Sequence, residues 1–158
     1  MSISVWRIAT DTPNYTADDL SGTGAAIEGG RWNVAGMPLV YASSSRALAA
    51  LETLVHVKLG SLPLNRYLVC IDIPDAIWAT ARIETAVSLA VGWDAVPQGA
   101  ASIGLGMGWA ADLASAILRV PSVIVPEEEN VLINPAHPDA ARISAVKVRR
   151  WLYDPRLR

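Results

Sequence analysis

Residues 29–59 read GGRWNVAGMPLVYASSSRALAALETLVHVKL, and three backbone signals follow one another along them. The glycine-flanked GGRWNVAG at 29–36 predicts a loop that can approach a ligand closely, because a residue without a Cβ leaves room for one. LVYA at 39–42 predicts a short strand. The serines at 43–45 offer an N-cap. Leu48, Leu51, Leu54, Val55 and Leu59 then recur at the spacing of one helix side, so a helix is predicted over 46–59.

Working outward, residues 4–9 predict a strand, 66–73 (RYLVCIDI) another ended by Pro74, 83–90 a short helix and 109–118 a longer one ended by Pro121. Short strands are expected at 122–125 and 131–133, around the acidic turn EEEN. Over 145–153, Val146, Val148 and Trp151 alternate with Lys147, Arg149 and Arg150, which predicts a strand with one wet face. Residues 11–30 are polar and glycine-rich, and so long a loop in a compact domain is often functional. Strands and helices mix without a regular βαβ rhythm, so the fold class is α+β. No repeat, low-complexity tract or linker divides the chain, which is read as a single domain over 1–158.

Composition narrows the function. Apolar residues make up 52% of the 158, enough for a core, while charged residues are 18%, below the roughly 25% of an average globular protein. The net charge of −2 argues against nucleic-acid binding, which calls for a basic excess. Cys70 has no second cysteine to pair with and sits in an apolar run, so it is read as a small buried hydrophobe in a reducing compartment. The opening MSISVWRIATD lacks the basic start and apolar core of a signal peptide. The apolar stretch 99–118 carries Asp112 and four glycines and is too weakly hydrophobic to predict a membrane span. The expected location is the cytoplasm.

Several chemistries lack their residues. There is no GxxxxGK[ST] loop and no GxSxG elbow; GLGMG at 104–108 is only a partial match to a dinucleotide fingerprint, without a strong strand before it. His56 and His137 stand in no metal-ligand spacing. What remains is the opening stretch. Arg31 offers a planar fork suited to phosphate, Tyr41 an aromatic face and a hydroxyl, and Trp32 is the tryptophan whose neighbours best place it at a ligand. Glu52 has Leu48, Val55 and Leu59 on its helix side, and a carboxylate there must find a partner or do work. The residues leave both open: a salt bridge to Arg31 or another arginine, or catalysis. His56 reads equally as a satisfied core histidine. Ser122, Asn130 and Asn134 read as turn and strand-end residues.

The ordered series VWRIA (5–9), GGRWNVAG (29–36), LVYAS (39–43), ALAALETLVH (47–56) and VPSVIVPEEENVLINPAHPD (120–139) resembles the RES domain, named after Arg, Glu and Ser motif residues. The resemblance spans most of the chain. It implies a fold similar to ADP-ribosyltransferases, with two small sheets flanking an NAD⁺ cleft and helices around them. It implies the toxin of a toxin–antitoxin pair, restrained by an Xre-like helix-turn-helix antitoxin that blocks the active site. Some members degrade NAD⁺, and another type modifies a metabolic enzyme. By position, Arg31, Tyr41, Glu52 and Ser122 are the implied catalytic residues. Arg31, Arg7, Tyr41, Trp32 and Asn134 are the implied NAD⁺ contacts, with His56 a further candidate.

The expected reaction is cleavage of the nicotinamide–ribose bond, with water or phosphate as acceptor. NAD⁺ is then a consumed substrate, and no resident cofactor or metal is expected. Loss of nicotinamide leaves a ribosyl oxocarbenium ion, which an ionised carboxylate stabilises more than the ground state. The alternatives are transfer of ADP-ribose to a protein, from nearly the same residues, and a module that only binds a nucleotide. The apolar surplus and the six tryptophans also suggest a homodimer.

Overall fold

The computed structural model describes residues 1–57 and 63–157. Seven strands form one sheet in the order β4-β5-β6-β2-β1-β3-β7. They are β1 (Ser2–Thr10), β2 (Val40–Ser43), β3 (Arg66–Pro74), β4 (Arg82–Ile83), β5 (Ile117–Pro121), β6 (Glu129–Ile133) and β7 (Ser144–Trp151). The helices are α1 (Thr23–Glu28), α2 (Arg46–Leu54), α3 (Asp75–Ala79) and α4 (Ala100–Asp112). Neighbouring strands run antiparallel except β4, which lies parallel to β5. The α+β class expected from the sequence is the one observed.

The resemblance implied two sheets, whereas hydrogen bonding joins one. The two halves, β4-β5-β6-β2 and β1-β3-β7, meet at a single residue pair, Trp6 with Ser43. Beyond it β1 and β2 part, and a cavity opens between them.

Side-chain alternation assigns the two faces. On one, Val5, Ala9, Val40, Ala42, Val69, Ile71, Ile117, Val131 and Ile133 form a continuous core capped by Ile77 of α3. On the other, Leu118, Val120 and Leu132 pack with Leu39, Trp32, Trp93 and Trp109, beneath α4. On that same side Ile8 and Leu68 pack against Ala49 of α2. Tyr41, Ser43 and Asn130 belong to this second face, because Tyr41 is paired with Leu132 and Ser43 with Asn130.

Several expected elements shift. The predicted helix over 109–118 lies earlier, at Ala100–Asp112, and 117–121 is a strand. Four of the five residues of ILRVP are buried, all but Arg119, and so short a mostly apolar run has no periodicity to separate strand from helix. The strand expected at 122–125 is a turn, in which Ser122 Oγ accepts from the backbone N–H groups of Ile124 and Val125, both at 3.1 Å. The helix expected at 83–90 is a two-residue strand followed by turns. The helix expected over 46–59 stops at Leu54, and Leu59 lies outside the described residues. Ser45 is its N-cap, accepting from Leu48 N–H at 3.1 Å.

β7 is an edge strand, and Val146 and Val148 are more than half exposed. The dry face read from its alternation is not observed: Val146 and Val148 are exposed like the basic residues beside them, and a bulge against Leu68/Val69 breaks the register. Among the described residues, no helix is long and apolar enough to cross a membrane.

Candidate active site

Glu52 sits on the last turn of α2. Leu48, one turn before it, is buried, but Val55 is 60% exposed, because the helix has ended there. The carboxylate is half-buried and is held at one oxygen. Ser122 Oγ donates to Glu52 Oε1 at 2.7 Å, and Asn130 Nδ2 donates to the same atom at 2.7 Å. Both donors are neutral. Among the described residues no cation pairs with Glu52 and nothing bonds Oε2, so the salt-bridge alternative is not what the fold built.

Ser122 is fully buried. Its two acceptor sites take the N–H groups of Ile124 and Val125, which leaves its one proton for Glu52. The turn that replaces the expected strand therefore aims this hydroxyl. Asn130 is aimed by Ser43, whose Oγ donates to Asn130 Oδ1 at 2.8 Å. Pairing of β6 with β2 and β5 fixes its backbone from both sides.

Tyr41 lies two residues before Ser43 on the same face. Its hydroxyl donates to Asn33 Oδ1 at 2.6 Å and accepts from Trp32 N–H at 2.9 Å. Burial pushes the phenol well above its ordinary range, against smaller opposing effects of the hydrogen bonds to the Trp32–Asn33 backbone and of the nearby Arg31 charge. Asn33 is buried, and its Nδ2 donates to the carbonyls of Ala25, Val34 and Met37. Tyr41 thus offers its ring, and its hydroxyl belongs to the 29–37 loop.

Arg7 projects from β1 into the opening between β1 and β2. The small cavity there, about 40 Å³, is lined by Arg7, Tyr15, Asp19, Thr23, Leu39 and Tyr41 among others. Burial holds the Arg7 guanidinium below its ordinary value, with Asp19 and Tyr15 partly offsetting this. Its one hydrogen bond among the described residues is long, Nη1 to the Asp19 carbonyl at 3.4 Å.

Arg31 uses one nitrogen on two backbone carbonyls, Nη1 donating to Trp93 at 3.1 Å and Ala95 at 2.8 Å. It anchors the 92–97 loop, and no other nitrogen of its fork is engaged among the described residues.

The structure places three of the expected contacts away from the Glu52 cluster. Trp32 is 2% exposed and packs in the core with Leu39, Trp93 and Trp109, where α4 presses Gly106 onto its backbone. Asn134 is fully buried and structural, Nδ2 donating to the Ala110 carbonyl and Oδ1 accepting from Ala136 N–H. His56 lies past the end of α2 and is exposed, so it is neither a core histidine nor gathered with the others.

Asn130 and Asn33 were missed as site residues. Asn130 flanks the same apolar run as Asn134, and only the ladder shows which of the two faces Glu52. Asn33 lies inside GGRWNVAG, and its place there was the available signal.

Comparison with known proteins follows the same residues. Residues 4–155 match the RES domain. This chain belongs to the RES domain family. A protein named "Prs ADP-ribosylating toxin" from Sphingobium sp. (strain YBL2) is 62% identical over 99% of this chain and 98% of its own length. A "Toxin Res" from Pseudomonas putida is 37% identical over 97% and 98%. In the crystal structure of the M. tuberculosis MbcT–MbcA toxin–antitoxin complex, one chain resembles this RES domain with a TM-score of 0.58. It is 19% identical, over 94% of this chain and 85% of that one, so the likeness is one of fold. The family span includes every residue of the Glu52 network.

Proposed function

We propose that this RES domain is the toxin of a toxin–antitoxin pair and that it breaks the nicotinamide–ribose bond of NAD⁺. The observation that carries the reading is the Glu52 carboxylate, oriented through Oε1 by two neutral donors and paired with no cation. As nicotinamide leaves, positive charge develops on the ribose. A fixed carboxylate with its charge uncancelled stabilises that state more than the ground state. Tyr41 presents its ring to the sugar or the nicotinamide. Arg7, and the unengaged part of the Arg31 fork, suit the doubly negative pyrophosphate. The toxin role draws support from the names of the relatives and from the toxin–antitoxin complex of similar fold. The antitoxin, of the Xre-like class by family resemblance, restrains the enzyme by covering this cleft in the cytoplasm.

The acceptor separates two readings that share this step. Water or phosphate was the first expectation from the sequence. The name of the 62% identical relative, an ADP-ribosylating toxin, favours transfer to a protein, and that is the reading adopted.

The test incubates the purified chain with NAD⁺ alone, with phosphate, and with cell extract, identifying products by mass. Nicotinamide release that depends on extract, with ADP-ribose on a protein, is expected. ADP-ribose or ADP-ribose 1-phosphate formed without extract gives the small-acceptor reading. No nicotinamide under any condition leaves a nucleotide-binding module. Glu52→Gln keeps an oxygen for Ser122 and Asn130 but loses the charge. It is expected to melt like the wild type and to release nicotinamide about 10²-fold more slowly or worse; full activity in that variant refutes the role of the carboxylate.

A further inference from the structure

We infer that Asn130, braced by Ser43, is a positioning residue that fixes which oxygen of Glu52 is held and which is presented to substrate. The inference rests on the reading of Glu52 as the reacting carboxylate. Ser122 and Asn130 both bond Oε1. One donor fixes a point but leaves the carboxylate free to swing about it. Two donors on one atom, arriving from the turn after β5 and from the start of β6, restrict that swing and leave Oε2 as the oxygen without a bond among the described residues.

The direction of the Asn130 amide is not arbitrary. Its oxygen takes the Ser43 proton at 2.8 Å, and a flipped amide would set that oxygen against Oε1. The chain Ser43–Asn130–Glu52 therefore has one consistent polarity.

No other charged group competes for Glu52 among the described residues. On the elements around it, Arg119 pairs with Glu129 at 2.8 Å, and Glu128 accepts from Ser45. Arg46 stacks on Trp6 at 3.7 Å and Arg149 on Trp151 at 4.9 Å. His56 is exposed beyond the helix end.

Asn130→Asp tests this with almost no change of shape. It places a second carboxylate where an N–H donated at 2.7 Å, and two carboxylates so close cannot both ionise freely. The acid limb of the kcat profile for nicotinamide release is expected to move up by about one pH unit or more. Asn130→Ala is expected to lower kcat about 10- to 100-fold, the loss of one hydrogen bond to a charged group, with KM within about twofold. Ser43→Ala should act in the same sense and more weakly.

A second readout does not depend on activity. In the full chain with ¹³C-labelled glutamate carboxyls, the Glu52 signal, assigned by its absence in Glu52→Gln, should titrate at higher pH in Asn130→Asp than in the wild type. An unshifted Glu52 titration in folded Asn130→Asp overturns the inference. So does an Asn130→Ala variant with raised KM and unchanged kcat, which would place Asn130 on the substrate instead. If the wild type releases no nicotinamide with or without extract, the proposed reaction fails, and the carboxyl titration still decides the role of Asn130.

Discussion

The Tyr41 hydroxyl has both its donor and its acceptor capacity used inside the protein, by Asn33 and Trp32. Tyr41→Phe removes it while keeping the ring, and strands a buried amide oxygen and a backbone N–H. Such losses cost about 1–3 kcal/mol each, so lower stability is expected in denaturant unfolding. Nicotinamide release by the folded variant should stay within a few-fold of the wild type if the ring is what meets the substrate; a hundredfold loss would return the hydroxyl to the chemistry. The pH dependence has a definite sign. The folded phenol holds its proton above the ordinary value of 10.0. Its contribution is therefore complete below that value and is lost as pH rises through and beyond it. Unfolding free energy measured from pH 8 to 11.5 should fall more gently in Tyr41→Phe than in the wild type. The residue type at 41 was legible in the sequence. The fate of its hydroxyl was not, because Asn33 reaches it only once the 29–37 loop has closed on the carbonyls of Ala25, Val34 and Met37.

Among the elements, α4 shows how tertiary contact overrides local preference. Three of its thirteen residues are glycine, a composition that reads as loop because glycine disfavours the helix interior by about 1 kcal/mol per residue. Gly106 has a reason to be there: a Cβ at this position would stand 1.9 Å from the Trp32 carbonyl oxygen and 2.8 Å from its carbon. Gly104 has nothing within 4 Å. Gly106→Ala is expected to destabilise by about 3 kcal/mol or more, since the obstacle is backbone and cannot rotate away. It should also weaken NAD⁺ binding, by shifting the 31–32 segment. Gly104→Ala should stabilise by about 0.5–1 kcal/mol. Paired thermal melts decide the matter, and equal effects at the two positions would mean that α4 does not sit against Trp32.

At the scale of the whole molecule, the single pair Trp6–Ser43 joins the halves of the sheet, and the opening beside it holds only about 40 Å³. A dinucleotide needs far more, as small-molecule sites typically offer about 300–1,000 Å³. On the proposed reading, in which NAD⁺ enters beside Arg7 and Tyr41, the 15–25 segment that lines this opening would have to give way. In Glu52→Gln, NAD⁺ is expected to slow amide hydrogen exchange in residues 7–10, 15–25 and 39–42, leaving β3 and β7 unchanged; protection confined to other strands would place the nucleotide elsewhere. The sequence by itself determined the α+β class, β1, β2, β3 and the Ser45-capped start of α2, because these rest on local patterns of period and capping. It also carried the ordered motifs that name the family and single out Arg31, Tyr41, Glu52 and Ser122. The resemblance also implied that Ser122 helps position Glu52 or the substrate; only the tertiary structure decided that Asn130 joins it on the carboxylate while no arginine among the described residues does, that Trp32 turns inward, and that Asn134 faces elsewhere. Those contacts join residues 70 and 78 positions apart. They depend on strand register and on a turn after β5, and neither leaves a periodic trace in the chain.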